Sequence, residues 1–570
     1  MKETVAFIIC YDEERCLEEC IYYISRLQVP RDLEVSVLSV LSSSGMASAY
    51  NEAMEESKAK YKVYLDQRTL IINDFFLYDL VSLFRKHPDA GIFGVLGSSN
   101  TGEMDRGRIL VWSEEGLSQI DYQEGREAEE AEVVSGMLLA IRQDWKWREG
   151  GGLSCQEALC QDIKSAGYRI LIPWQSKSWC IYDCRESLVY EGRTETESKI
   201  QTENGFQMEY QYLLQRVEVW HDIDSAKMIK TLLEEGKLSY AAHMEQVEKQ
   251  AFAKVLTGYF WEDFLNIDRN ESKYLPANGS LLLDSREKNQ MHVAAAFNHG
   301  YAVYAAVMLQ SLYENNPLCQ IQVHILQSDL TYGDKVGLKR QAESFQNQIF
   351  FYDFDNSLLP DGLQVTKEWS KEAYFRLFMT ELLPDTVDRI LYLDVDMIIG
   401  KPIYNLYFME MQGKDIIGCR DFSQILRTEF ADMRKELFAP LAKEKEFVYF
   451  NSGMMLMDLA GLRQWIRGAD YLQVAEDLKG KLLAPDQDIL NLVHWQKTGL
   501  VDEFRYDIFN ACLKDLKAEE LELFASIIHY AGPKPWMPID ISKHAHRLWW
   551  DYASRTRMAS GLLYRKILLS

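Results

Sequence analysis

The chain has 570 residues, 47% hydrophobic, 12% aromatic and 26% charged. That is the composition of a folded globular protein too long for one hydrophobic core, so two or more domains are expected. The net charge of −24 disfavours nucleic acid, and an anionic membrane over most of the surface, and a bound polyphosphate would need a local cationic patch or a metal.

The opening MKETVAFIICYDEER lacks the length and the small-residue cleavage pattern of a secretory signal. No stretch reaches the apolar length of a membrane span, so a cytoplasmic location is the expectation. The ten cysteines sit mostly in apolar runs (Cys10, Cys319, Cys419, Cys512), and Cys155/Cys160 and Cys180/Cys184 lack paired CxxC spacing. Buried thiols are expected, rather than zinc ligands or disulfides.

In chain order, VAFIIC (5–10) predicts a strand, and a helical pattern follows around Leu17–Leu27. LEVSVLSVLSS (33–43) alternates and predicts a second strand, SGMASAYNEAMEESKAKY a helix and YKVYLD (61–66) a third strand. AGIFGVLG (90–97) and AEVVSGMLLAIR (131–142) read as further strands. This alternation predicts an α/β domain on a mostly parallel sheet over residues 1–205. Helical spacing without strand signal predicts a connector over 206–266, and the polar, Pro- and Gly-bearing 267–290 a linker.

A second α/β pattern occupies 291–570. MHVAAAF (291–297), CQIQVHIL (319–326) and NQIFFYDF (347–354) predict strands, with AVYAAVMLQSLYENN and WSKEAYFRLFMTELL as helices. DRILYLDVDMIIG (388–400) is the strongest strand pattern in the chain. The fold class expected is therefore two α/β domains joined by a helical connector.

The strand pattern RILYL runs into Asp394 and Asp396, two carboxylates at i and i+2. That spacing projects both to one side, at the strand end where open α/β sheets bind ligands. Adjacent anions there are costly unless a cation is bound, and a divalent metal able to bridge phosphates is the simplest compensation. Solvated aspartates in a surface turn are the plainer reading, and Asp222–Ile223–Asp224 and Asp353–Phe354–Asp355 repeat the spacing without supporting motifs.

Further segments accompany the pair. Asn451–Ser452–Gly453 interrupts FVYFNSGMMLMDL, as a bulge or tight turn would. Asp486, Gln487 and Asp488 precede a helical pattern, as capping residues do. SIIHYAGPKPW predicts a short strand ending in His529, followed by Gly532 and Lys534.

In this order AAFNHGYAVYAAVMLQSL, AYFRLFMTELL, YLDVD, FNSGMMLMDL, PDQDILN and HYAGPKPW resemble glycosyltransferase family eight, over about 290–550. The resemblance implies a GT-A fold and retaining transfer of glucose or galactose from a UDP-sugar to a glycan, glycoprotein or lipid-linked acceptor. It implies Asp394, Asp396 and His529 as ligands of Mn2+ (or Mg2+), a mixed carboxylate–imidazole set. Gly532 and Lys534 match the phosphate-contacting part of the last motif, and Asn298 and Tyr301 the positions that hold uracil and ribose. Arg376, Asn451, Asp486 and Gln487 match residues around the donor sugar, with Gln487 expected to stabilise the oxocarbenium-like transition state and Asp486 to bind sugar hydroxyls. Two departures stand out: Asn298 replaces a common Asp, and HYAGPKPW is one residue short between Gly and Lys.

The N-terminal segments FIICYDEE, SSGMASAYNEAMEESKAKYKVYLDQRTLIINDFF, VVSGMLLAIRQDWKWRE and SWCIYDC resemble a family-two-type GT-A domain of the streptomycin-cluster kind. Its His-Gln-Asp run is Asp66–Gln67–Arg68 here, and a later histidine is Tyr182. This disfavours the usual metal site and leaves two alternatives, a bifunctional enzyme or a degenerate domain that binds acceptor or partner; a non-catalytic nucleotide-sugar-binding scaffold is the third reading. Finally, ASRTRMASGLLYRKILLS mixes basic and apolar residues, as a terminal helix packed on its own domain or a peripheral membrane contact would.

Overall fold

A computed structural model of the chain describes residues 2–184 and 273–563, apart from 26, 42–44, 101–102, 114–115, 125–126, 150–152, 176–177, 284–285, 361–370, 422–436, 439, 442–443, 445–446, 479–480, 514–524, 538 and 540. The expected connector over 206–266, with Asp222–Ile223–Asp224, lies outside these residues. The described residues divide into two compact units, one holding residues up to 184 with Ser280–Leu283, the other 273–279 and everything from 286 onward. The described part of 267–290 is packed rather than free: Lys273 donates to the Trp495 carbonyl (2.6 Å), and the Leu281 N–H donates to the Tyr78 hydroxyl (2.9 Å).

In the first unit, strands run in the order Leu33–Leu41, Glu3–Tyr11, Tyr61–Asp66, Leu138–Ile141, Ala90–Gly94, Arg169–Ile172, Glu129–Glu130. The first three are mutually parallel, whereas Leu138–Ile141 is antiparallel to both neighbours. Val5 to Ile9 are fully buried, which is why that run is continuously apolar. Helix Phe76–Lys86 buries Phe76, Leu77, Leu80, Val81 and Phe84, one stripe at helical spacing. AGIFGVLG divides between two sheets, as Ala90–Gly94 and Leu96–Ser98.

In the second unit the order is Gln348–Asp353, Gln320–Gln327, Gln290–Ala296, Arg389–Leu393, Phe450–Asp458, Ile416–Arg420, Thr498–Leu500. The first four strands are parallel, and Phe450–Asp458 is antiparallel to both neighbours. The 388–400 pattern is two strands, not one: Arg389–Leu393 stays in this sheet, while Met397–Ile399 joins a small one with Ile527–His529 and Ile508–Phe509. The break falls on the carboxylate pair. There the Asp394 N–H donates to the Gly453 carbonyl (2.8 Å) and the Asp396 carbonyl accepts from the Tyr530 N–H (2.8 Å). The expected helix around Arg376 is a 3₁₀ run, Lys371–Phe378, that turns α only over Met379–Leu382.

All ten cysteines are free, and all but Cys184 are buried. Helix His544–Arg555 sinks Ala545, Trp549, Trp550 and Ala553 into a core with Ile528 and Tyr530, so the described part of the terminal segment packs on its own unit. Among the described residues, no helix is long and apolar enough to cross a membrane.

Candidate active site

The second unit's chemistry gathers where the central strand Arg389–Leu393 ends. Asp394 Oδ1 accepts from Arg376 Nη2 (2.9 Å) and from the Tyr392 hydroxyl (3.1 Å). Asp396 accepts from Lys534 Nζ through one oxygen, and its other lies 3.5 Å from His529 Nε2. One ligand atom from each of Asp394, Asp396 and His529 lies within 4.8 Å of the others, close enough to converge on one ion. Strand Ile527–His529 pairs antiparallel with Met397–Ile399, which brings His529 opposite Met397 and so beside the aspartates.

A bulge makes room for this arrangement. Pairing with Ile416–Arg420 jumps from Gly418↔Met455 to Cys419↔Asn451, so Ser452, Gly453 and Met454 are skipped on that side, while Met454 stays in register with Leu393 on the other. A Cβ on Gly453 would stand 2.7 Å from His529 Cε1 and 3.0 Å from Asp394 Oδ2, so only glycine lets the three approach. Asn451 Oδ1 accepts the Gly453 N–H (2.8 Å) and pins the turn.

Arg376 is the hub behind the carboxylates. Its guanidinium reaches Asp394, Asp486 Oδ2 (3.2 Å) and both the carbonyl (2.7 Å) and hydroxyl (3.1 Å) of Ser452, and it lies over the Tyr392 ring at 4.3 Å. Asp486 and Gln487 sit in the first turn of helix Pro485–His494, with proline at its start, and both are buried rather than capping in solvent. Gln487 Oε1 accepts the Ser452 N–H (2.9 Å), while its Nε2 donates to Asp421 and to the Tyr449 hydroxyl (3.1 Å).

Burial would lower the His529 pKa, but the flanking Asp507 and Asp396 outweigh it and push the imidazole up to about 10. Burial pushes the Asp507 carboxyl up to about 6 against the opposing pull of His529. Burial would also raise Asp396, yet Lys534 and His529 hold it well below the ordinary carboxylate range. Asp486 is raised by burial, with Arg376 opposing. The donor set is thus two carboxylates and an imidazole whose Nδ1 is already engaged, a set that fits a borderline or hard divalent ion.

The remaining expected residues border this centre. Asn298 Nδ2 is 3.4 Å from Glu372 Oε2, to which it donates. Tyr301 is half-exposed, edge-on to Tyr304 (5.5 Å), which stacks on Trp536 (4.2 Å). Gly532 has φ +89, a left-handed turn that leads into Lys534. Sequence reasoning missed Asp507 and Asp421, and gave Ser452 no role beyond the Asn451–Ser452–Gly453 turn. Asp421 closes the strand pattern IIGCRD, a carboxylate at a strand end like Asp394; Asp507 carries no comparable signal.

The first unit differs. Asp66–Gln67–Arg68 ends strand Tyr61–Asp66, with Gln67 Oε1 accepting the N–H groups of Asp12 (3.1 Å) and Glu13 (3.0 Å). The Arg68 N–H donates to Asp66 Oδ1 (2.9 Å). Among the described residues, the one cluster with metal-binding geometry is that of the second unit.

Residues 6–204 match the model of the "Glycosyltransferase like family", and residues 292–540 that of "Glycosyl transferase family 8". A lipopolysaccharide 1,2-glucosyltransferase of Escherichia coli is 26% identical over 290 residues, covering 48% of this chain and 78% of the relative. A lipopolysaccharide 1,3-galactosyltransferase of Salmonella typhimurium is 24% identical over 258 residues, 44% of this chain and 74% of its own. Among solved structures, the galactosyltransferase LgtC in complex with donor and acceptor sugar analogs is 20% identical, covers 47% of this chain and 96% of that one, and superposes with a TM-score of 0.39. The C-terminal half of this chain is thus similar to glycosyl transferase family 8, and its N-terminal half to a glycosyltransferase-like family of family-two type.

Proposed function

We propose that the second unit is a metal-dependent retaining hexosyltransferase, moving glucose or galactose from a UDP-sugar to a glycan, glycoprotein or lipid-linked acceptor. The observation that carries this is the convergence of Asp394, Asp396 and His529 at the end of the central strand, with Lys534 beside them. Names of relatives that act as lipopolysaccharide glucosyl- and galactosyltransferases support the choice of hexose.

Asp394, Asp396 and His529 would hold Mn2+ (or Mg2+), which when bound neutralises a diphosphate leaving group. Lys534 and the Gly532 turn contact the diphosphate, where a fixed cation is worth most. Asn298 and Tyr301 receive the base and ribose. Arg376 and Asn451 shape the sugar pocket, Asp486 binds sugar hydroxyls, and Gln487 turns its carbonyl dipole to the developing positive charge at the anomeric carbon. A double displacement would need a carboxylate nucleophile, which the Gln487 amide does not supply, so the acceptor hydroxyl attacks from the face that UDP leaves.

Arg68 in place of a metal-binding aspartate supports a first unit that binds acceptor or partner rather than transferring a second sugar. The domain limits proposed are 1–205, 206–266, 267–290 and 291–570. Ten free thiols support a cytoplasmic setting. The test is a panel of nucleotide sugars with the products followed by proton NMR. Turnover of UDP-glucose or UDP-galactose with an α-configured product is expected. A β-configured product, or a donor other than a UDP-hexose, overturns the reading.

A further inference from the structure

His529 is held from behind by a group that neither the metal set nor the donor pocket includes. Asp507 lies between helix Glu503–Tyr506 and strand Ile508–Phe509, and that strand pairs in parallel with Ile527–His529. Its Oδ1 is 2.9 Å from His529 Nδ1. The Asp507 N–H donates to the Glu503 carbonyl (3.1 Å), and the Phe509 ring stands edge-on to the imidazole at 5.3 Å, so both partners are fixed in place.

Asp507 is fully buried, and among the described residues its Oδ2 has no hydrogen-bond partner. A buried carboxylate left half-satisfied is costly.

The charges linked by ion pairs around it give the carboxylate a purpose. Asp394, Asp396, Asp486 and Asp507 are joined through Arg376, Lys534 and His529. With a neutral imidazole, four carboxylates face two fixed cations, leaving two negative charges in a buried network. Asp421 adds to the negative field at Asp507, and a divalent ion offsets the excess to which Asp507 contributes. In the neutral ring, donation from Nδ1 to a carboxylate leaves the Nε2 lone pair for a cation, and here Nε2 is the atom turned toward Asp396.

We propose that Asp507 is a positioning residue of the metal centre, whose carboxylate fixes the His529 ring with Nε2 facing Asp394 and Asp396 and strengthens its hold on a divalent cation. This rests on the metal reading of the second unit, and the experiment separates the two. Mn2+ is titrated into the full chain and followed by the loss of its free-ion electron paramagnetic resonance signal, for wild type, Asp396→Asn, Asp507→Asn and Asp507→Ala, with the melting temperature of each recorded.

Wild type is expected to bind, and Asp396→Asn is not. Asp507→Asn, which keeps shape and acceptor but loses charge, weakens binding about tenfold, and Asp507→Ala moves toward a hundredfold, the range for carboxylates behind metal-bound histidines. A purely structural role would lower the melting temperature and leave Mn2+ affinity in place. Wild type that binds no Mn2+, or binds it equally with Asp396→Asn, overturns the metal reading and the role of Asp507 with it. Wild-type binding matched within twofold by Asp507→Asn overturns the role of Asp507 alone.

Discussion

Replacing Arg376 with methionine should destabilise the second unit whatever the donor is, because among the described residues the guanidinium is the cation that joins Asp394 to Asp486. Both are anions facing a cation that is only 6% exposed. Methionine keeps much of the side-chain volume but leaves two carboxylates without their cation and the Ser452 carbonyl without its guanidinium donor. The charge-assisted hydrogen bonds to Asp394 and to the Ser452 carbonyl, at about 1.5–3 kcal/mol each, give roughly 3–6 kcal/mol. Breaking a buried pair by removing one partner gives about 3–5 kcal/mol. The two routes agree, and at about 2–4 °C per kcal/mol for a unit of this size the melting temperature should fall by roughly 6–20 °C. Differential scanning calorimetry of the full chain reads this directly. The double variant Arg376→Met/Asp394→Asn should recover part of the loss, since one orphaned charge is removed. A shift below about 2 °C would refute the hub role of Arg376.

Three other perturbations follow from the same geometry. Gly453→Ala places a methyl against His529 and Asp394, so donor turnover should fall at least about a hundredfold; activity within threefold of wild type would mean that the bulge tolerates a side chain after all. Gln487→Ala should cost about 10²–10³ in turnover if its carbonyl stabilises charge at the anomeric carbon, and near-normal turnover would remove it from that role. In the first unit, burial pushes the Asp79 carboxyl up to about 6, with the Asn73 amide opposing. The native state therefore holds this proton more tightly than the unfolded chain, and stability is lost as pH rises from about 4 through 6. The gap from the ordinary value of 3.8 is worth about 3 kcal/mol, so Asp79→Asn should raise the melting temperature at pH 7.5 and gain little at pH 4, checked by calorimetry at both.

The carboxylate pair stood out from two other Asp-x-Asp runs because an apolar strand pattern leads into it, and His529 entered through the resemblance of HYAGPKPW to the family motif, not through any signal of its own. The break at Asp394 was not legible, since period-two alternation continues through DVDMII while the backbone changes sheet. Nor was the reversal of Leu138–Ile141 and Phe450–Asp458, because strands buried on both faces look alike in either direction. The 3₁₀ run at Lys371–Phe378 carries the apolar spacing of a helix, so its tighter winding was not legible. Asp507 had no signal of its own: FRYDIFN reads as an ordinary turn, and its partner His529 lies 22 residues on.

Whether the second unit uses Asp394, Asp396 and His529 to turn over a nucleotide sugar with a metal is tested most directly by UDP release. Release from UDP-glucose and UDP-galactose is measured for wild type and Asp394→Asn with added Mn2+, and again with a chelator. Wild type should release UDP with Mn2+ and stop on chelation, and Asp394→Asn should release none at any Mn2+ concentration. Release that persists in the chelator, or in Asp394→Asn, would contradict a metal-dependent transferase at this site.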